Sequence, residues 1–450
     1  MKPPATIGLV SLGCAKNAVD LQVMAGHLRK AGFALAPNPD EADVVLVNTC
    51  AFIEQAREEA VSEILRACEL KKSGRCRAVV VSGCFVQRYG SSLADTFPDV
   101  DAFLGIDALD RIAALVNGLG SARAKRVSIP CGNPRKVFSP PEPALRLTGP
   151  AFAYLKIAEG CAHRCSYCAI PAIRGVYRSR KVNDILAEAR ALISTGVREL
   201  NVIAQDPMLY GVDMKPRRDG SRIGLVDLLS ALDALEGDFR VRVLYSYPSE
   251  ITDAFLDWMN SSPRAIRYVD VPIQHTAPSV LRAMARGSAV QATRTAAARI
   301  RAAVPGVTLR TTVMTGFPGE TEGDFKRLVA DIRSMKFDHL GAFAFSPEEG
   351  TVAAELDGQV PHGVAERRRQ EIMRVQKGIW KAISKGYVGK VFPALVVAPG
   401  VARLESQAPD VDGVTFIAPS GKSRPISVGS VVKLRITAVK GYDFEGIPEK

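Results

Sequence analysis

The chain has 450 residues, 47% of them hydrophobic and 24% charged, with a formal net charge of +12. That length exceeds one ordinary domain, the composition supports sizeable cores, and the excess of positive charge points to a polyanionic partner such as nucleic acid or a ribosome. No apolar run approaches the roughly 18 residues of a membrane span, so no membrane role is expected. Lys2, a short apolar run and Cys14 imitate a lipoprotein signal, but Gly8 and Ser11 interrupt the run and an amphipathic helix follows. Nine cysteines without a secretion signal argue for reduced thiols, metal ligation and a cytoplasmic location.

Residues 1–120 alternate strand and helix. Strands are predicted at Thr6–Val10, Val44–Val47 and Val79–Val81, and helices at Asn17–Ala31, Phe52–Leu70 and Phe85–Leu93. This is a doubly wound α/β pattern with a parallel sheet. Cys14 follows the first strand in SLGC, Cys50 the second in NTC, and Cys84 the third in SGC. The carboxyl ends of parallel strands share one edge, where ligands bind, so the three thiols should converge there as a three-thiolate cluster site. Cys68 and Cys76 fall elsewhere and read as buried structural residues.

Residues 121–146 read as a linker, because five prolines deny it regular structure and six Lys/Arg face the single Glu142. Cys131 within it reads as a free surface thiol.

Residues 147–385 hold a second βα series. Strands are predicted at Phe152–Ile157, Leu200–Ile203, Val241–Ser246, Arg267–Val271, Leu309–Met314 and Leu340–Phe345, with helical stretches between them and a basic helix at 364–384. Six βα units suit a partial barrel, not a closed eightfold one. Immediately after the first strand stand Cys161, Cys165 and Cys168, spaced C-x3-C-x2-C. A structural zinc site wants four ligands, for which His163 is the local candidate. A four-iron cluster held by three thiolates keeps one iron open to a substrate. The spacing, with Tyr167 before the last cysteine, resembles the radical-SAM signature. The resemblance implies a 4Fe–4S cluster on these three cysteines that chelates S-adenosylmethionine, with Tyr167 against its adenine. Arg174, Arg178, Arg180 and Lys181 follow, as either a solvated basic face or a seat for cofactor or substrate carboxylate. His275, at a strand end, is a structural histidine or a substrate contact. Gly160 allows the turn into the cysteine loop, and GFPG at 316–319 is a tight turn.

Residues 386–450 change to short β-rich runs, Ala394–Val397, Val414–Ile417 and Val431–Val439, which fit a small antiparallel barrel. Its charge is nearly balanced, with no strong RNA-binding footprint.

Two three-cysteine sets, a radical-SAM core and a small, TRAM-like terminal barrel together resemble the radical-SAM methylthiotransferases over nearly the whole chain. SLGCAKNAVD, NTCAFI, VDVPIQH, SPEEGT and APDVDG are similar to the RimO-type branch, which modifies an aspartate of small-subunit ribosomal protein twelve. Leu21-Gln22, Pro207-Met208-Leu209 and Arg403-Leu404 depart from that branch without touching a cysteine. The resemblance implies two 4Fe–4S clusters, one on Cys161, Cys165 and Cys168 and an auxiliary one on Cys14, Cys50 and Cys84. It further implies S-adenosylmethionine as both methyl donor and radical source, and a low-potential electron donor of the flavodoxin or ferredoxin type. A radical taken from the cofactor would remove hydrogen from the aspartate β-carbon, and the auxiliary cluster would carry the sulfur. Asp410 and Asp412, in an acidic loop that would suit a basic ribosomal protein, are expected to bind substrate. Two other classes stay open on sequence alone: a tRNA adenosine methylthiotransferase, and a non-enzymic iron–sulfur or zinc protein that binds RNA.

Overall fold

The structure, a computed structural model, describes residues 5–119, 127–129, 132–418 and 426–449. The first unit runs β1 (Thr6–Ser11), α1 (Ala15–Lys30), β2 (Ala34–Leu35), β3 (Val44–Thr49), α2 (Glu54–Ser73), β4 (Ala78–Gly83), α3 (Cys84–Tyr89), α4 (Leu93–Thr96), β5 (Ala102–Leu104), α5 (Ile112–Leu119) and β6 (Val127–Ile129). Its six strands are all parallel, in the order β2-β1-β3-β4-β5-β6. β3 and β4 are buried along their whole length because helices cover both faces. Val45, Val47, Val79 and Val81 point toward α2 and α3, while Val44, Leu46, Ala78 and Val80 point toward α1 and α5. Strand order reverses between β1 and β3, the switch point at which such sheets form ligand crevices.

The segment expected to be irregular supplies the sheet's edge strand, β6, which pairs with β5. A short edge strand needs backbone pairing on one side only, so a proline-rich neighbourhood tolerates it. Cys131 lies outside the described residues. Cys68 and Cys76 are buried in the α2/α3 face of the core.

The central unit comprises β7 (Phe152–Lys156), β8 (Ala158–Glu159), α6 (Ile170–Arg174), β9 (Arg178–Ser179), α7 (Val182–Ser194), β10 (Glu199–Ile203), α8 (Leu225–Asp233), β11 (Arg240–Val243), α9 (Asp253–Ser261), β12 (Tyr268–Asp270), α10 (Pro278–Ala283), α11 (Val290–Ala303), β13 (Thr308–Thr315), α12 (Glu322–Met335), β14 (His339–Ala344) and α13 (His362–Ser384). The strands form two parallel triplets, β7-β10-β11 and β12-β13-β14. A Val241–Ala265 bridge and a 2.8 Å bond from Ser246 N to Asp270 O join the triplets into one open, six-stranded arc. Small β8 and β9 pair antiparallel and carry the cysteine loop between them. The arc's aliphatic residues and its outer helices share one large core.

β15 (Val391–Ala398), β16 (Val401–Leu404), β17 (Thr415–Ile417), β18 (Val431–Lys440) and β19 (Asp443–Pro448) close a five-stranded barrel. It is not wholly antiparallel as expected, because β17 and β19 pair parallel to complete the circuit. The loop between β16 and β17 docks onto side chains of the arc's strands. Arg403 and Arg242 share Glu199, Arg242 Nη1 donates to Glu405 O (2.9 Å), and His339 Nε2 donates to Ser406 O (2.7 Å). No helix among the described residues is long and apolar enough to cross a membrane.

Candidate iron–sulfur site

Each cysteine of the first set lies just past the carboxyl end of its strand, and Asn17 ties the three together. Its Nδ2 donates to Thr49 O (2.9 Å) and Leu12 O (3.2 Å), and its Oδ1 accepts from the Cys84 thiol (3.3 Å). Asn48 Nδ2 returns a bond to Asn17 O (2.7 Å). Gly13 permits the approach of two of the loops: it adopts φ +88, and a Cβ there would stand 3.0 Å from Cys50 Sγ. Cys14 is exposed, whereas Cys50 and Cys84 are buried. Surrounding protein raises the Cys14 pKa, but the charges of Lys16 and Arg174 and the backbone N–H groups of Asn17 and Lys16 outweigh it and hold the thiol below its usual range. Burial pushes Cys50 up and Cys84 up to about 12.

The second set sits on a loop fixed at several points. Cys161 N donates to Gly175 O (3.2 Å) and Cys168 N to Cys165 O (3.0 Å), while Ser166 is clamped by Met284 O (3.1 Å) and Ala283 O (2.7 Å). Gly160 has φ +73, and a Cβ there would stand 2.1 Å from Val176 O, so only glycine enters this loop. Burial raises Cys161 to about 11 and Cys168 to about 12. Thiols this costly to ionise alone become thiolates when metal replaces the proton. His163 is occupied: its ring stacks on Tyr247 with centroids 3.8 Å apart, and its Nε2 lies 2.6 Å from Asp206 Oδ2. Tyr167 packs edge-on against Phe317, and Arg286 Nη1 lies 3.5 Å from its hydroxyl and 3.9 Å from Cys165 Sγ.

A buried polar network runs from the segment that flanks the second set to Cys84 of the first. Arg174, 1% exposed, grips both oxygens of Glu159 (2.9 Å each) and reaches Asp20 Oδ2 (2.9 Å) and Cys84 Sγ (3.3 Å). Lys156 pairs with the same Asp20 and with Glu159. Arg174 ends the helix that begins two residues after Cys168, and Ala169 and Ile173 of that segment enter the first unit's core. On a second path, Arg57 and Arg88 of the first unit both pair with Glu348. Among the described residues no three His, Cys, Asp or Glu side chains are grouped to hold a single metal ion. Ligands of a four-iron cluster bind different irons, one thiolate to each, and need not converge on a single ion.

The remaining candidates fall outside this network or inside the fold. Arg180 is buried against Glu188 (2.7 Å), so neither it nor Arg174 belongs to a solvated face. His275 is fully buried, with Nδ1 accepting from Ala277 N (3.0 Å). Asp412 has a side chain 1% exposed and accepts from Arg310 (2.7 Å), Tyr268 (2.7 Å) and Ala408 N (2.8 Å). Asp410 is an exposed residue whose carboxylate accepts from Tyr154 (2.5 Å). Asp412 thus directs its charge into the protein, where it docks the terminal barrel, while Asp410 bonds Tyr154 at the surface. Sequence reasoning missed Asn17, Asp20, Lys156 and Glu159; all but Lys156 lie in a stretch singled out around a cysteine, Ile157–Lys181 for Glu159.

Residues 6–105 match the uncharacterized protein family UPF0004, residues 155–332 the radical SAM superfamily, and residues 388–448 the TRAM domain. The ribosomal protein uS12 methylthiotransferase RimO of Syntrophus aciditrophicus is 43% identical, over 98% of this chain and 97% of that protein. The protein of the same name from Akkermansia muciniphila is 41% identical, over 97% and 100%. Among solved structures, the radical S-adenosylmethionine methyltransferase TsrM of Kitasatospora setae, with tryptophan and a cofactor analogue bound, aligns with a TM-score of 0.53 at 16% identity, over 75% of this chain and 72% of that one. At that identity the likeness is one of fold.

Proposed function

The chain belongs to the RimO family of ribosomal protein uS12 methylthiotransferases, radical-SAM enzymes, and from that membership we propose that it inserts a methylthio group at the β-carbon of one uS12 aspartate using two 4Fe–4S clusters. Cys161, Cys165 and Cys168 would hold one cluster, with Tyr167 beside the S-adenosylmethionine adenine, and Cys14, Cys50 and Cys84 the other. When bound, these groups supply a carbon radical able to take hydrogen from an unactivated C–H bond, together with the sulfur and methyl that replace it. The chain's own residues do the positioning. Gly160 and Ser166 fix the radical loop, Asn17 gathers the auxiliary loops, and Arg174 joins the two.

The observation that carries this reading is Arg174. It stands in the helix after the radical-SAM loop and touches the auxiliary Cys84 sulfur, a direct link between the segment carrying one cysteine set and a member of the other that supports a joint role. A flavodoxin- or ferredoxin-type donor completes the scheme. The test is mass spectrometry of ribosomal proteins and tRNA from one culture of a deletion strain. The expected outcome is loss of the methylthio increment from one uS12 aspartate, with tRNA methylthio-adenosine intact. An unmodified tRNA pool beside intact uS12 would contradict the assignment.

A further inference from the structure

Eight lysine and arginine side chains are buried among the described residues, and six of them have a carboxylate oxygen within 4.0 Å. The two exceptions are Arg286 and Lys16. Arg286 is accounted for by Pro272 O (2.9 Å), the Tyr247 ring beneath it and Cys165. Lys16 is only 9% exposed, and its ammonium rests 3.1 Å from the centroid of the Tyr245 ring with no hydrogen-bond acceptor or ion-pair partner among the described residues.

The neighbouring carboxylates are engaged elsewhere. Asp20 and Glu159 hold Lys156 and Arg174, and Asp270 accepts from Tyr245 N (3.2 Å) and faces Arg310 (3.8 Å). Tyr245 itself adopts φ 73, a left-handed conformation costly for a residue with a Cβ, just beyond the carboxyl end of β11. The charged neighbour that remains is the Cys14 thiol two residues away, whose ionised form Lys16 favours; no carboxylate pairs with the ammonium, and buried cations of that kind cluster where a ligand supplies the opposite charge. Lys16 lies two residues after Cys14 in the first turn of α1, while Tyr245 belongs to the arc edge that carries the radical loop. The ammonium therefore faces the interior between the two cysteine sets.

We propose that Lys16 receives the carboxylate of the target aspartate of uS12 and is a specificity-determining contact for that substrate. This rests on the aspartate reading above. The β-carbon is bonded directly to the carboxyl carbon, so holding the carboxylate places the reacting C–H one bond away. A buried ammonium rejects the neutral asparagine isostere, which would leave its charge unpaired.

The test uses the anaerobically reconstituted full chain and its Lys16→Met and Lys16→Arg variants. Binding of uS12 is measured against uS12 with the target aspartate replaced by asparagine, and iron is counted in every sample. Wild-type enzyme is expected to bind the asparagine form at least about tenfold more weakly. Lys16→Met is expected to weaken binding of native uS12 by a similar factor, to leave the asparagine form within about twofold, and to keep its iron. Lys16→Arg is expected to recover part of the loss. Equal wild-type affinity for both forms overturns the proposal without recourse to any enzyme variant, as does equal weakening of both by Lys16→Met. Loss of iron or cluster sulfide in Lys16→Met, with unaltered discrimination between the two forms, assigns the ammonium to the cluster and also overturns it. Failure of the wild-type enzyme to bind or modify uS12 at all sinks the substrate reading beneath it.

Discussion

At the scale of single residues, the six cysteines and His275 make opposite cases for how a side chain's setting decides its use. Reconstituted protein is expected to bind about eight irons per chain, and replacing either cysteine set by alanine to leave about four, while Cys68→Ala changes nothing. Iron analysis checks this, and zinc in either site under those conditions would contradict it. His275 was left open between structure and substrate, and burial settles its chemistry by depressing its pKa to about 4. Asp324 opposes that shift and Arg368 adds to it, while Glu320 stands 3.8 Å from Nε2. The unfolded chain takes up a proton near pH 6.5 that the folded chain refuses until about pH 4. Stability from neutral His275 is therefore fully present above pH 6.5 and is lost as pH falls through that window, by about 3 kcal/mol in all. His275→Gln is expected to flatten the stability profile between pH 6.5 and 4 relative to wild type, as measured by chemical denaturation; parallel profiles would contradict it. The strand-end cysteines were legible because parallel topology converts sequence position into spatial position. Lys16 and Asn17 were not, because their roles depend on which neighbours fold onto them.

At the scale of elements, the central strands were legible as β-branched and aliphatic runs of the right length, and all six fall where expected. β16 and β19 were not, because Val401–Leu404 is short and Asp443–Pro448 carries Gly and Pro. Both become strands by pairing around a closed circuit, a tertiary effect. The cysteine loop between β8 and β9 is the element most dependent on one backbone position. Gly160→Ala would drive a Cβ into Val176 O at a φ that costs roughly 1–3 kcal/mol. The expected outcome is loss of the radical-site iron, about four per chain, with the auxiliary cluster kept. Full iron content in Gly160→Ala would contradict the account of this turn.

At the scale of the whole molecule, the three units were legible as changes in pattern, but the contacts between them were not. Asp410 and Asp412 illustrate why. A sequence displays a carboxylate's charge and not its partner, and here Tyr154, Tyr268 and Arg310 are those partners. Asp412→Asn leaves the mostly buried Arg310 without its close counter-charge, at a cost of roughly 3 kcal/mol. Limited proteolysis is expected to release the terminal barrel near Lys385 faster in that variant, with both clusters retained; an unchanged cleavage rate would contradict the docking role. The N-terminal and central units meet through Arg174 and through Glu348, and each carries one of the two cysteine sets proposed here as ligands of separate clusters. Separate ligands imply separable chemistry, and one measurement tests this most directly. The Cys14/Cys50/Cys84 triple-alanine variant is incubated anaerobically with S-adenosylmethionine, reductant and uS12. It is expected to form 5′-deoxyadenosine yet attach no methylthio group, whereas a Cys161→Ala variant forms no 5′-deoxyadenosine; equal loss of 5′-deoxyadenosine in both variants would contradict two independent clusters.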